Sequence, residues 1–226
     1  MSGSERPLVL ARVVDHLIGL ATTRPLRVAV DGVTAAGKST LASELTRLVR
    51  ERGRPAVHLS ADDFHQPRAY RYRQGRDSPL GYYTDAYDFD ALRRLTLDPL
   101  GPGGDRRYRA RHWDLERDQP ADEPAELAAD DLIVVVDGSF LQRPEIAGGW
   151  DQVIYLDTSF AAARAQGARR DADHFGGLAA AVAAYERRYH AACQLYLDEI
   201  HPADRADVLL HGDDPSRLRL GRIGAT

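Results

Sequence analysis

The segment Gly32-Val33-Thr34-Ala35-Ala36-Gly37-Lys38-Ser39 constrains this chain most, because it is a complete G-x-x-x-x-G-K-[ST] loop, followed by Thr40. Lys38 is the single lysine among 30 basic residues; the others are arginines. An ammonium has been kept at the one place where a compact charge with three donors is needed and a guanidinium fork is too wide. Leu26-Arg27-Val28-Ala29-Val30 ahead of the loop reads as a buried strand, and apolar residues at 41, 45, 48 and 49 behind it mark one face of a helix. Strand, glycine loop and helix in that order make backbone N–H groups and the positive end of the helix converge on phosphate oxygens. Residues 32 to 40 are therefore expected to hold a nucleotide polyphosphate, with Lys38 at the β- and γ-phosphates and the Ser39 hydroxyl on Mg²⁺.

The remaining chain alternates between two periodicities. Strands are expected at 56–60, 132–136, 152–156 and 206–210, and helices at 8–20, 90–100, 160–170 and 178–200. Leu132-Ile133-Val134-Val135-Val136 is the most apolar run, which suits a central parallel strand covered on both faces. Such alternation predicts an α/β fold, a three-layer P-loop NTPase with a central parallel sheet flanked by helices and a small lid. We expect one domain over 1–226, with a substrate-binding insertion at about 64–125 and a lid at about 164–178. Phe64 to Tyr87, rich in Tyr and Arg with several Gly and Pro, reads as functional loop rather than core. Arg106 to Trp113 reads as a short excursion or hairpin, and Gln119 to Pro124 as solvated loop.

Charge and composition narrow the class. With 30 basic and 34 acidic residues the net charge is −4, which argues against a nucleic-acid or anionic-membrane surface and for a small-molecule partner. The polar start of the chain and the absence of any run near ~18 apolar residues predict a cytoplasmic protein. Cys193 is the only cysteine, so neither an intrachain disulfide nor a multi-cysteine metal site can form. Homo-oligomer formation is left open. A regulatory GTPase would need an Asn/Thr-Lys-x-Asp element, and there is no second lysine to build it. A small-molecule kinase suits the length best.

Further segments carry a resemblance. Val28-Ala29-Val30-Asp31-Gly32 into the loop, Leu59-Ser60-Ala61-Asp62-Asp63-Phe64, Tyr87-Asp88-Phe89-Asp90, Val135-Val136-Asp137-Gly138, and Asp157-Thr158 before an arginine-bearing helix occur in that order. From about residue 26 to 212 the chain resembles the uridine kinase and phosphoribulokinase family. The resemblance implies that Asp62, at the carboxyl end of a strand beside the loop strand, orients the acceptor hydroxyl and takes its proton, with Asp63 as the alternative. Asp137, ending the most apolar strand, is expected to hold Mg²⁺ with Ser39. Arg164, Arg169 and Arg170 would form the lid's arginine set, with Arg169 the first choice for stabilising transferred charge. Two departures stand out: Gln166-Gly167 where the family commonly has two arginines, and Asp137-Gly138 where uridine kinases usually have Glu-Gly.

For the acceptor, Asp85 lies one residue out of register with the family's ribose-binding aspartate, making Tyr83-Thr84-Asp85 its neighbourhood. Tyr108 and His112 fall where uridine kinases contact the base. The turn His211-Gly212-Asp213-Asp214 falls beside the adenine. The resemblance thus implies ATP- and Mg²⁺-dependent transfer of the γ-phosphoryl group to the 5′-hydroxyl of a ribonucleoside, uridine or cytidine first. A same-fold kinase for pantothenate, nicotinamide riboside or a sugar, and a non-catalytic nucleotide-binding regulator, stay open beside it.

Overall fold

The strand that leads into the glycine loop, β1 (Leu26–Gly32), is buried along its whole length, which only a strand flanked on both edges and covered on both faces can be. A computed structural model describes residues 5–20 and 23–224 and supplies those flanks. The other strands of its sheet are β2 (Ala56–Ser60), β3 (Ile133–Gly138), β4 (Gln152–Asp157), β5 (Val208–His211) and β6 (Arg219–Ile223). Their order is β6-β5-β4-β1-β3-β2. All neighbouring pairs are parallel except β5 with β6. Val30 and Ser60 both lie in register with Asp137, and Gly32 with Leu156. The carboxyl ends of β1 to β4 therefore share one edge of the sheet, the edge where open α/β sheets bind ligands.

Helices pack onto this sheet through apolar faces. The first, α1 (Arg6–Gly19), buries Val9, Leu10, Val13, Val14 and Leu17, spaced for one helix face. It packs on α2 (Lys38–Glu51), which buries Leu41, Ala42, Leu45, Thr46 and Val49. No described helix is long and apolar enough to cross a membrane.

Several expected boundaries change. The edge strand β6 has no counterpart in the sequence reading: Gly221 falls at a register shift between Leu220 and Arg222, and a bulge erases the two-residue alternation that reveals strands. The expected helix at 90–100 is a short α-helix, Phe89–Leu92, that continues as a π-helical turn over Arg93–Leu97. Residues 178–200 are helical throughout, but α5 (Leu178–Ala184) and α6 (Ala191–Ile200) are joined by a π-helical turn at Tyr185–His190. The stretch from Arg106 onward makes two small ladders, Arg107–Tyr108 with Glu126–Leu127 and Trp113–Asp114 with Gln119–Pro120; the expected solvated loop at 119–124 thus begins within a hairpin arm.

The largest change concerns residues 64–87. They contain the helix α3 (Pro79–Asp85), and Tyr82, Tyr83 and Tyr87 are buried around Phe140 with ring centroids 5.6, 5.2 and 6.2 Å from it. A segment read as loop is therefore in part core. Tyrosine misleads here because its ring packs like phenylalanine while its hydroxyl counts as polar.

Candidate active site

The glycine loop closes onto α2 at Gly37, whose φ of 95° lies in the left-handed region that favours glycine. Lys38 begins the helix and is 8% exposed. Its Nζ donates to the Val33 carbonyl at 2.9 Å and to Ser139 Oγ at 3.1 Å, so the ammonium is fixed over the loop. Ser39 donates its hydroxyl to Asp137 Oδ2 at 2.6 Å, and His58 Nε2 lies 2.7 Å from Asp137 Oδ1. Both oxygens of the buried Asp137 are thereby oriented by neighbours on α2 and β2.

Asp62 stands across the same cleft. It lies in a 3₁₀ turn, Ala61–Phe64, whose cap is Ser60 Oγ accepting from the Asp62 N–H at 3.3 Å. Tyr87 donates its hydroxyl to Asp62 Oδ1 at 3.0 Å. Burial, then the negative charge of Asp62, pushes the Tyr87 phenol well above its ordinary range, so it stays a donor. Lys38, Ser39, Asp62, Tyr82, Tyr87 and Asp137 all line this one cleft. Asp63 turns the other way, pairing with Arg111 at 2.8 Å while its carbonyl accepts from the His112 N–H at 2.9 Å. Of the two adjacent aspartates, the fold brings Asp62 to the phosphate loop and ties Asp63 to the hairpin arm.

Of the three expected lid arginines, Arg170 is the one that lines the cleft. Helix α4 (Phe160–Arg170) turns Gln166 and Arg170, four residues apart and so on one face, into the cleft. Arg169 lies off that face and is exposed, while Arg164 pairs with Glu186 at 3.1 Å. Arg170 is braced by Asp171 at 2.8 and 2.9 Å and by the Tyr185 hydroxyl at 3.2 Å. Gly167 explains the missing arginine pair: a Cβ there would come within 2.4 Å of the Tyr185 ring and 2.7 Å of Ala35 Cβ, so only glycine lets α4 approach the loop this closely.

Four expected acceptor contacts lie elsewhere. Asp85 is 1% exposed and accepts from Arg73 at 2.9 and 2.8 Å, from Gln74 at 2.7 Å and from Thr84 at 2.9 Å. Burial would raise its carboxyl, but those donors outweigh burial and hold it below its ordinary range. Tyr83 donates to Glu199 at 2.8 Å, with its ring under Arg143. Tyr108 donates to Glu126 at 3.2 Å within the arm, and burial followed by the Glu126 charge pushes its phenol up to about 12. The His112 ring lies 3.6 Å from Asp88. Spacing along the chain carries no information about these partners, which come from the arm folding on itself, from the 73–74 turn, from α6 and from Asp88.

Asp85→Asn accordingly tests a structural role. Loss of the charged contacts should cost about 1–2 kcal/mol, a drop in Tm of about 2–8 °C, with acceptor KM unchanged. Since the folded carboxyl titrates below its unfolded value, this stability is present above the unfolded pKa near ~4 and is lost as pH falls through the folded value. Wild type and variant should converge in Tm at the acid end of that window.

His58, Tyr82, Tyr87 and Ser139 enter the site without having been singled out. Only His58 left a signal, a polar residue two positions from Ser60 and so on the same side of a strand. The turn at Gly212 borders a smaller cavity with Gly37, Thr40 and Leu156, next to the phosphate loop.

Among the described residues no group of three or more His, Cys, Asp or Glu is arranged to hold a metal. One hydroxyl and one carboxylate, Ser39 and Asp137, form a hard oxygen pair suited to Mg²⁺ shared with phosphate oxygens rather than to a cage of its own.

No family model matches the chain. A segment of 142 residues is 27% identical to a uridine kinase of Leuconostoc citreum (strain KM20), which covers 60% of this chain and 63% of that relative. The chain thus spans just under two thirds of that relative's length. Among solved structures it is similar to that of a possible uridine kinase from Bacillus stearothermophilus, with a TM-score of 0.72, 25% identity, and 91% and 98% of the two chains covered. D-glycerate 3-kinase from Cryptococcus neoformans shares the fold at a TM-score of 0.60 and 14% identity, covering 88% and 90%. With a glycine loop, a Ser60-to-Phe64 turn and an Asp137 strand end converging on one sheet edge, the chain is similar in sequence and in fold to the uridine kinase-like P-loop kinases.

Proposed function

We propose that this protein is a kinase that transfers the γ-phosphoryl group of ATP to the primary hydroxyl of a small molecule, with the 5′-hydroxyl of uridine or cytidine as the first candidate. One observation carries the reading: the Asp62 carboxylate faces Lys38, Ser39 and Asp137 across a single cleft. Asp62 would accept the proton of the attacking hydroxyl while Tyr87 fixes its second oxygen lobe. Lys38, released from Val33 and Ser139, would follow the charge on the β- and γ-phosphates. Ser39 and Asp137 would hold Mg²⁺, which supplies positive charge against the phosphate oxygens.

We further propose that the chain acts as one kinase domain. The stretch around 64–125 would shape the acceptor side, and 164–178 would close as a lid. Gly176 and Gly177, with φ of 79° and 128°, give that lid a pivot before α5. Closure would bring Arg170 over the transferred group and exclude water.

Incubating the protein with ATP, Mg²⁺ and a panel of nucleosides and other alcohols, read as ADP release and product mass, tests the reading. Turnover of uridine or cytidine is the expected result; none on any nucleoside sinks the nucleoside assignment. A second reading, another small alcohol, is favoured by the engagement of Asp85 and Tyr108 with other protein groups. ATP binding with no turnover on any alcohol would favour a regulator. His58→Ala adds an independent check on the cation. Loss of the group orienting Asp137 should raise the Mg²⁺ concentration for half-maximal activity about tenfold or more, and an unchanged Mg²⁺ titration would free His58 of that role.

A further inference from the structure

Arg188 is 9% exposed, and among the described residues no carboxylate pairs with it. Among the described residues its Nε has no hydrogen-bond partner, and its guanidinium makes one hydrogen bond, at 3.5 Å from Nη1 to the Tyr189 hydroxyl. Three rings surround it instead, with Tyr72, Tyr82 and Tyr189 centroids at 5.0, 5.1 and 5.1 Å from the guanidinium carbon. Aromatic faces offset part of the cost of burying a cation, but an unpaired buried charge remains unfavourable until an anion joins it.

The surroundings are positive as well. Arg71, 8% exposed, and Arg76 approach the same Tyr72 ring at 5.3 and 5.6 Å. Arg71 donates to the Gln66 carbonyl at 2.7 Å, and its carboxylate neighbour, Asp118, is 3.7 Å away. Burial pushes the imidazole of His65 down; Arg71 and Arg188 add to that against the pull of Asp62, so His65 adds no further cation to the cluster. Tyr82 ties this cluster to the cleft, since it packs on Arg188, lines the cleft with Asp62, and has its hydroxyl 3.5 Å from Thr34 Oγ1.

We propose that Arg188, with Arg71 beside it across Tyr72, is an oxyanion-binding subsite on the Asp62 side of the cleft. Its ligand is a phosphate or carboxylate oxyanion, which two sources can provide: the transferring γ-phosphoryl of ATP, or an acid group on the acceptor alcohol. This rests on the kinase reading above and gives Arg188 a place that the chain order had assigned to Arg164 and Arg169.

Calorimetric titrations of wild type and Arg188→Gln separate the sources, using Mg²⁺ with AMP-PNP, Mg²⁺ with ADP, and uridine, D-glycerate and pantothenate in the presence of ADP. Loss of one charged hydrogen bond should weaken the relevant ligand about tenfold or more. If the γ-phosphoryl is the source, AMP-PNP weakens and ADP does not. If the acceptor's acid is the source, an acidic alcohol that binds the wild type is lost while both nucleotides bind as before. All ligands binding within about twofold of wild type would overturn the proposal. Because binding is read without turnover, an inactive wild type would count against the kinase reading alone. Thermal melting of Arg188→Gln and Arg188→Met gives a second readout: removal of an unpaired buried cation should leave Tm unchanged or raise it. Melting of both well below wild type would assign Arg188 to packing and also overturn the subsite.

Discussion

Asp62→Asn should lower kcat by about 10²-fold or more while ATP affinity stays near that of the wild type. The amide keeps the shape of the side chain and can still accept from the Tyr87 hydroxyl at its Oδ1, so the turn Ala61–Phe64 and its Ser60 cap should survive. What is lost is the carboxylate that would take the acceptor's proton as its oxygen bonds to phosphorus. In the proposed reading nucleotide binding falls to other residues, those of the loop and α2, and should not follow the loss. Steady-state kinetics paired with a direct titration of AMP-PNP gives both quantities, and a near-normal kcat would remove Asp62 from the role. Asp63→Asn is the matched control: with Asp63 paired to Arg111 and turned to the arm, its effect should be on stability rather than kcat.

Lys38→Arg is the second large effect. The substitution conserves charge, so a purely coulombic role would tolerate it. In this fold the ammonium is 8% exposed and reaches the Val33 carbonyl and Ser139 Oγ together. A planar guanidinium cannot occupy that point and also follow the phosphates. Activity should fall by about 10²- to 10³-fold, the scale of removing one preorganised donor from a transferring group. A nearly normal enzyme would refute the compact-charge argument.

Much of the architecture was legible from local pattern. The glycine loop, the buried run at 132–136 and the helix faces of α1 and α2 announce themselves because their periodicity reflects burial directly. The site splits along the same line. Lys38, Ser39, Asp62 and Asp137 are fixed by where strands end, and strand ends were readable. Asp85, Tyr83, Tyr108 and His112 required knowing which side chains meet across the 64–127 region. There Arg73, Gln74, Glu199 and Glu126 capture three of these four side chains. The π-helical turns are a related failure, since one extra residue in a turn rotates every later side chain about the axis and defeats a 3.6-residue count.

The chain by itself determined that a glycine loop with one ammonium lies between a buried strand and a helix, because that arrangement depends on a handful of contiguous residues. Only the tertiary structure decided which of two adjacent aspartates faces it, that Arg170 rather than Arg169 lines the cleft, and that Arg188 is buried among three tyrosines with no counter-ion among the described residues. Those outcomes turn on helix phase and on contacts between residues far apart in the chain. Such contacts are set by packing the whole core and leave no periodic trace in any one segment.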